Sequence, residues 1–327
     1  NLLEFLSAPA AKFIDPSERV FWGYMLSALV IASIAISVQE KHFNLVGQLK
    51  RLFNPKYWLS QSSLFDVFLM IFNSSMRLML LVPFFGSHLV VTVLVGGFLQ
   101  ENLGDAPRLD MPWFWIASFF SICFLIIDDL SRFLLHFCMH RFNFLWYFHK
   151  THHSATVLTP LTIFRVHPVE HILYFTRRLV VFGFITGVFI WLFSQRLSGL
   201  EILGVDMFGV LFNFAAANLR HSHIWISFGR FEKIFISPAQ HQIHHSDNPS
   251  FFNKNMGAIF AVWDNLFGTL SKSKEINHIS FGLTPEEIQF YIGKTLTKDF
   301  NSRFDFNNKI IGSLHSHFLN YLHFCFF

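Results

Sequence analysis

The sequence predicts an all-α protein: a multi-pass transmembrane helical domain with a helical, histidine-rich cap suited to holding metal. Three observations carry this. Of 327 residues, 52% are hydrophobic and only 14% charged, with mean hydropathy +0.41, too little charge to solvate a soluble domain of this length. Uncharged runs reach bilayer length. Twelve of the eighteen histidines fall between His136 and His245, many at helical spacing.

Taken in chain order, Phe21–Val38 is an uncharged run long enough to cross a bilayer. A basic loop with Lys41, Lys50, Arg51 and Lys56 follows. Leu64–Leu99 is apolar but broken by Asp66, Arg77, Pro83 and Gly86. It reads either as an interfacial helix with one crossing near Leu78–Leu99 or as a tight hairpin. Trp113–Ile127 continues without a breaker into Asp128–Arg141, which predicts one long helix leaving the membrane. Leu179–Phe193 and Ile202–Ala217 form an out-and-back pair. This gives N-terminal transmembrane helices over 1–112, a central domain over 113–270 with a membrane hairpin at 179–217, and a peripheral segment over 271–327. No linker separates two globular halves.

Charge sets the expected orientation. Gln100–Met111 carries Arg108 against Glu101, Asp105 and Asp110, whereas 141–178 carries Arg141, Lys150, Arg165, Arg177 and Arg178. With one crossing in 64–99, the strongly basic loops share one face, and the positive-inside rule makes that face, with its histidines, cytoplasmic. The net charge of +4 is scattered and forms no basic block, which argues against nucleic acid. Cys123, Cys138 and Cys325 form no CxxC pair, so zinc fingers and iron–sulfur clusters are excluded.

The histidine spacing is more informative than the number. His136 and His140 lie one helical turn apart on one face. His149, His152 and His153 read HxxHH, and His241, His244 and His245 repeat it. Eight imidazoles brought together are too many for one ion and suit two; imidazole serves iron, zinc, copper or nickel. Of His221 and His223, two apart and so diverging on a helix, His221 is preferred as a further ligand. His167, just before a helix opened by Pro168, and His171 could ligate or line the site. Asp129, seven residues before His136, is placed to accept the second ring N–H of a ligand histidine; Asp128 competes with it, and Glu170 and Asp247 are similar candidates. No catalytic residue is expected beyond the metal centre. His42, His88, His278, His315, His317 and His323 share no cluster and read as interfacial or solvated. Cys138 reads as packing.

HFCMHR (136–141), LWYFHKTHHS (145–154), FRVHPVEH (164–171), HQIHHS (241–246) and NKNMGAIFAVWDNLFGTL (253–270) resemble, in this order, the fatty acid hydroxylase/sterol desaturase superfamily of membrane enzymes. The resemblance covers 128–270. It implies a non-haem centre of two iron ions (Fe2+) on the cytosolic face, ligated by His136, His140, His149, His152, His153, His241, His244 and His245 with one more from the linking segment. O2 is the implied co-substrate and a lipid the implied substrate: fatty acyl, sterol-like or ether lipid. Hydroxylation of a C–H bond is the expected reaction, with desaturation as the alternative. No fused haem-binding motif is recognisable, so the expected electron donor is separate, a cytochrome b5-like protein or a ferredoxin with its reductase. The resemblance also implies that WDNLFGT (263–269) closes the site. Readings of another class are a metal transporter or storage protein, with histidines inside the crossings or in a loose loop, and a zinc hydrolase, with about three protein ligands and a carboxylate base.

Overall fold

The computed structural model describes residues 10–106, 111–193, 207–215, 217–273 and 279–284. Among these the architecture is helical, and the β pairing consists of two isolated bridges, Phe235 with Phe260 and Ser246 with Phe281. Four helical stretches have the length and composition to cross a membrane: Trp22–Glu40, Gln61–Leu103, Trp113–Arg141 and Pro168–Phe193.

Helix α1 (Trp22–Glu40) is apolar all round, because one face meets protein and the other is left for lipid. Tyr24, Ala28, Ala32 and Ile36 are buried at a spacing of four, while Trp22, Leu26, Val30, Ile34 and Val38 are exposed on the opposite side. The buried stripe packs on Leu52, Leu219 and Ile224, so α1 clamps the cap. Two short helices, α2 (Leu45–Leu52) and α3 (Pro55–Trp58), follow, each started by an asparagine side chain that accepts a backbone N–H.

The region that the sequence left open resolves as a run in one direction. Helix α4 (Gln61–Met76) passes through a π-helical turn (Arg77–Leu81) into α5 (Val82–Phe85), and Gly86, at φ 68°, ends that piece before α6 (His88–Leu103) begins at the Ser87 cap. Helix α9 (Pro168–Phe193) runs beside it in the same direction. A Cβ on Gly183 would meet the His88 carbonyl at 2.8 Å, and one on Gly187 the Thr92 carbonyl at 2.8 Å, while Trp191 Nε1 donates to Gly104 O at 3.0 Å. The two glycines, four apart, let the backbones touch, as small residues do between membrane helices.

Helix α7 (Trp113–Arg141, 29 residues) is antiparallel to α9: Ile116 and Phe120 pack on Ile185, Phe189 and Phe193 at one end, and Asp128 accepts from Arg177 at 2.8 Å further along. At 1.5 Å per residue α7 is about 43 Å long, beyond the ~30 Å hydrocarbon core, so its last turns project into the cap. There α8 (Asn143–His153), α11 (Pro238–His244) and α12 (Val262–Phe267) pack around it, while the 3-10 turn Pro160–Phe164 packs on α4. Helix α10 is Met207–Phe214. Of the hairpin expected at 179–217, the outgoing leg is the latter part of α9, the turn at 194–206 lies outside the described residues, and the described return is the eight residues of α10. Cys325, His278, His315, His317, His323 and all of the expected 271–327 segment except 271–273 and 279–284 likewise lie outside them.

A buried polar network ties cap to membrane helix. Arg165, fully buried, bonds Asp66 of α4 at 2.5 Å, the Ser62 hydroxyl and carbonyl, and the Ser154 hydroxyl. Thr162 donates to the other Asp66 oxygen at 2.8 Å, and Asn73 to Val166 O at 2.8 Å. The Arg165 guanidinium nitrogens and both Asp66 oxygens all have partners, the condition under which a buried ion pair is tolerated.

Candidate metal centre

The chain brings nine histidines into two adjoining groups. His136 and His140 from α7, His149 and His153 from α8 and His244 from α11 form the first; His152, His221, His241 and His245 form the second. Within each group one ligand nitrogen per residue lies within 4.8 Å of the others. The spacing explains the assembly. In α8 the i, i+4 pair His149 and His153 serves the first group while His152 turns to the second. In α11 and its C-cap the i, i+4 pair His241 and His245 serves the second while His244 turns to the first. Each HxxHH therefore divides between the groups. His153 and His245 stack across the divide at 4.7 Å between ring centroids.

Ring orientation is set from behind. Nδ1 of His136 donates to Met256 O (2.8 Å), of His149 to Glu170 Oε1 (2.9 Å), of His152 to Arg165 O (3.1 Å) and of His244 to Lys254 O (2.7 Å). A neutral imidazole has one N–H, so on each of these rings Nε2 is a bare lone pair. Nε2 of His136 and of His149 face each other at 3.0 Å, and Nε2 of His140, His153 and His244 is buried without a hydrogen-bond partner. Burial, and then the neighbouring rings, hold His149, His153, His244 and His245 well below the usual imidazole range; His152 is pushed down to about 3, chiefly by burial. Neutral, converging lone pairs fit a divalent cation, since each unpaired buried nitrogen otherwise costs on the order of 1–3 kcal/mol. The residues therefore suit the metal pair that the motifs imply.

His241 is the exception, for its Nδ1 faces a donor, Arg220 Nη2, at 3.0 Å. Arg220 is buried and also donates to Ala258 O (2.6 Å) and Gly257 O (3.2 Å). Nε2 of His241 points at Nε2 of His221, 2.9 Å away.

The other sequence candidates stand outside both groups. Asp129 binds no imidazole: its oxygens accept from the backbone of Ile259 (2.7 Å) and Phe260 (3.1 Å) and from Trp263 Nε1 (2.9 Å), anchoring the loop that carries Met256. Its rival Asp128 is taken by Arg132 and Arg177. Glu170 is the carboxylate behind a ligand-group histidine, the role that helical spacing assigns to Asp129. Asp247 accepts from Ser280 (2.7 Å). His223 stacks on Tyr57 at 4.0 Å, His167 packs on Phe148 and accepts from Val169 N, and His171 lies on α9 with Nε2 unpartnered.

Sequence reasoning missed the supports. Asp264, fully buried, accepts from Met256 N (2.8 Å), Gly257 N (2.7 Å) and Thr269 (2.6 Å), which fixes the carbonyl behind His136. Gly257 has no room for a side chain there: a Cβ would meet Phe260 O at 2.6 Å. Glu232 gathers Ser227, Ser237 and Ser273; burial opposes its ionisation, but these donors outweigh it and hold the carboxyl below its ordinary value. Asp66, visible as a charge inside an apolar run, and Arg165, inside FRVH, were the available signals for the network behind His152.

Membrane-length helices and a buried nine-histidine cap define a class: the histidine-rich membrane proteins built to hold metal beside a bilayer. Residues 121–269, somewhat under half of the chain, match the family described as fatty acid hydroxylase, in keeping with the resemblance that the histidine motifs carry. The chain is similar to an alkylglycerol monooxygenase of Xenopus tropicalis, 26% identical over 54% of this chain and 34% of the relative. An ornithine lipid hydroxylase of Rhizobium tropici is 25% identical over 52% and 47%, and a Delta(7)-sterol 5(6)-desaturase of Gibberella zeae 26% over 57% and 53%. The chain thus spans about a third of the length of the alkylglycerol monooxygenases it matches. No solved structure matches it.

Proposed function

We propose that this protein is an O2-dependent membrane oxidoreductase that hydroxylates a C–H bond of a lipid at a two-iron centre. The observation that carries the reading is the pair of adjoining histidine groups, whose bare, buried nitrogens lie where membrane helices enter the cap. Relatives named as monooxygenase, hydroxylase and desaturase all act on lipids by name, which supports the substrate class; the desaturase among them keeps desaturation as the alternative outcome at the same centre.

His136, His140, His149, His153 and His244 would hold one iron, and His152, His221, His241 and His245 the other. Bound iron supplies the activation of O2 and the oxidation of the C–H bond. The chain itself orients the rings through Glu170 and the carbonyls of Met256, Lys254 and Arg165, and it limits water by burying the contacts of His136, His149 and His152. Electrons come from a separate donor, cytochrome b5-like or ferredoxin-type. The basic loops support a cytoplasmic orientation of the cap.

A zinc hydrolase needs a free carboxylate base beside an open metal position. Here Glu170 is spent on His149, and Asp129 and Asp264 on backbone amides. A transporter would carry its histidines within the crossings, whereas these gather in the cap.

The test is iron content and O2 consumption together, on protein purified anaerobically in detergent with iron supplied. The expected result is about two irons per chain and reductant-dependent O2 uptake stimulated by a membrane lipid extract. Tightly held zinc with no O2 uptake after iron reconstitution, with a competent donor present, would sink the proposal.

A further inference from the structure

Length and composition would let α1 (Trp22–Glu40) cross a bilayer, but its contacts run another way. At about 28 Å it is nearly as long as the hydrocarbon core is thick, so a crossing would leave its two ends on opposite faces. Both ends are instead bonded to one short stretch of the cap. Asn218 Nδ2 donates to Arg19 O, just ahead of the helix, at 2.8 Å, and Gln39 Nε2, in its last turn, donates to Trp225 O at 2.8 Å. Between them Ala28, Ala32 and Ile36 pack on Leu219 and Ile224. Residues 218–225 reach at most about 29 Å when extended, so the stretch lies alongside α1 for most of the helix. It carries His221 of the second histidine group, and Ile224 O accepts from Gln242 of α11 at 2.9 Å. Helix α1 therefore follows the cap from end to end.

Its outer face is apolar and open. Trp22, Leu26, Val30, Ile34 and Val38 are each more than half exposed. The same surface continues past the helix, where Phe43, Leu45, Val46, Phe53 and Leu59 are also more than half exposed. Among these stand Lys41, Lys50, Arg51 and Lys56, all exposed. Residues 41–60 hold no acidic residue; Glu40, just before them, pairs with Arg51 at 2.8 Å. Large apolar side chains mixed with cations fit the boundary between acyl chains and anionic headgroups. The bilayer is close, because Tyr24 and Ser27 in the first turns of α1 meet Phe214 at the end of α10, the return leg of the membrane hairpin.

We infer that α1 lies in the plane of the membrane and not across it, and that with α2 and α3 it seats the cap on anionic lipid headgroups. The row from Trp22 to Val38 enters the lipid, and Lys41, Lys50 and Lys56 meet the headgroups. The stretch that carries His221 is thereby clamped to a helix that the bilayer holds. The inference goes beyond the oxygenase reading and uses no property of the metal.

The experiment uses the full chain with Cys123, Cys138 and Cys325 changed to Ala, in nanodiscs of phosphatidylcholine and phosphatidylglycerol. Nitroxide labels on single cysteines replacing Leu26, Val30, Ile34 and Val38 report depth through their accessibility to O2 and to a nickel chelate. All four should sit at one shallow depth. A crossing helix spaces consecutive labels about 6 Å apart along the membrane normal, and that result overturns the inference. Four labels in water overturn it as well, and make a partner protein the occupant. In sealed vesicles an impermeant maleimide should reach Ser17→Cys and His42→Cys from the same side as Ser250→Cys of the cap, and from the side opposite to Glu101→Cys; Ser17→Cys and His42→Cys on opposite sides would restore the crossing. Lys50→Gln should weaken the lipid contact of a label at Val46 about fivefold. An unchanged Val46 signal overturns the anionic headgroup as the partner. Each readout is the same whether the histidines hold iron or zinc, so failure here and failure of the oxygenase reading are told apart.

Discussion

The two histidine groups are drawn from the same pair of HxxHH motifs, yet they are backed in opposite ways. In the first, three Nδ1 atoms donate to fixed acceptors, a carboxylate and two carbonyls. In the second, His152 alone has such an acceptor, Arg165 O. His241 instead accepts from Arg220, and Nδ1 of His245 is buried without a partner. Ring tautomers follow. Rings of the first group present lone pairs, whereas His241, accepting at Nδ1, carries its proton on the Nε2 that faces His221. A cation at the second group has to displace that proton. Similar motifs thus make two unequal sites, and the inequality comes from what stands behind each ring.

The largest expected effect comes from deleting a ligand in one group at a time. His244→Ala should lower iron from about two ions per chain to about one, and His241→Ala should do the same at the other site; each should abolish reductant-dependent O2 uptake, since one remaining ion cannot do the work of the pair. Metal analysis beside oxygraph traces reads both. If either variant loses both ions, the groups are one cooperative site and the comparison fails.

Next come the supports. Glu170→Ala removes the acceptor behind His149, and loss of such a partner weakens metal binding by about 10–100-fold; the loss should fall on the first ion only. Glu170→Gln keeps an acceptor oxygen and should recover most of it. Titration calorimetry in buffers of different ionisation enthalpy adds a sharper contrast: filling the second group should release one proton more per ion than filling the first. Equal proton release at both would remove the tautomer argument.

Acid should act on the metal-free cap. The folded protein holds His149, His152, His153, His221, His241, His244 and His245 below the unfolded imidazole value, first by burial. Depressed histidines contribute stability that is present above about pH 6.5 and is lost as pH falls toward the folded values, at up to about 1.4 kcal/mol per pH unit for each. Chelated protein should therefore lose Tm steadily between about pH 6.5 and 5, and iron-loaded protein should hold its Tm further down until protons displace metal. Parallel curves for the two forms would show that these rings are not where the metal sits.

Much of this was legible in the sequence, for a physical reason. Ligand histidines recur at helical spacing, so HxxxH and HxxHH announce themselves, and the uncharged run at Phe21–Val38 and the unbroken passage from Trp113 to Arg141 announce helices because nothing in them can end one. The supports do not repeat. Met256 and Lys254 act through carbonyls, which any residue has, and their placement depends on Asp264 and Asp129 gripping the same loop from different helices. Asp129 shares a helical face with His136, as periodicity predicts, but a loop more than a hundred residues later reaches it first. The division of each HxxHH between two groups was also out of reach, because it depends on the angle at which α8 and α11 approach α7.

The smallest expected effect separates histidines inside the groups from those outside. His223 follows His221 by two residues and shares its buried neighbourhood, yet its ring lies flat on Tyr57, 4.0 Å between centroids and 9° from parallel. Burial lowers its proton affinity too, so a depressed imidazole does not by itself mark a ligand; direction does. His223→Phe preserves the stacked ring and removes both nitrogens. Iron content should stay at that of the unaltered protein, with a stability change within about 1 kcal/mol, whereas His221→Phe should empty the second group. If His223→Phe also cost one ion, the HSH turn would present both rings to metal, and the boundary between the second group and its surroundings would have to be redrawn.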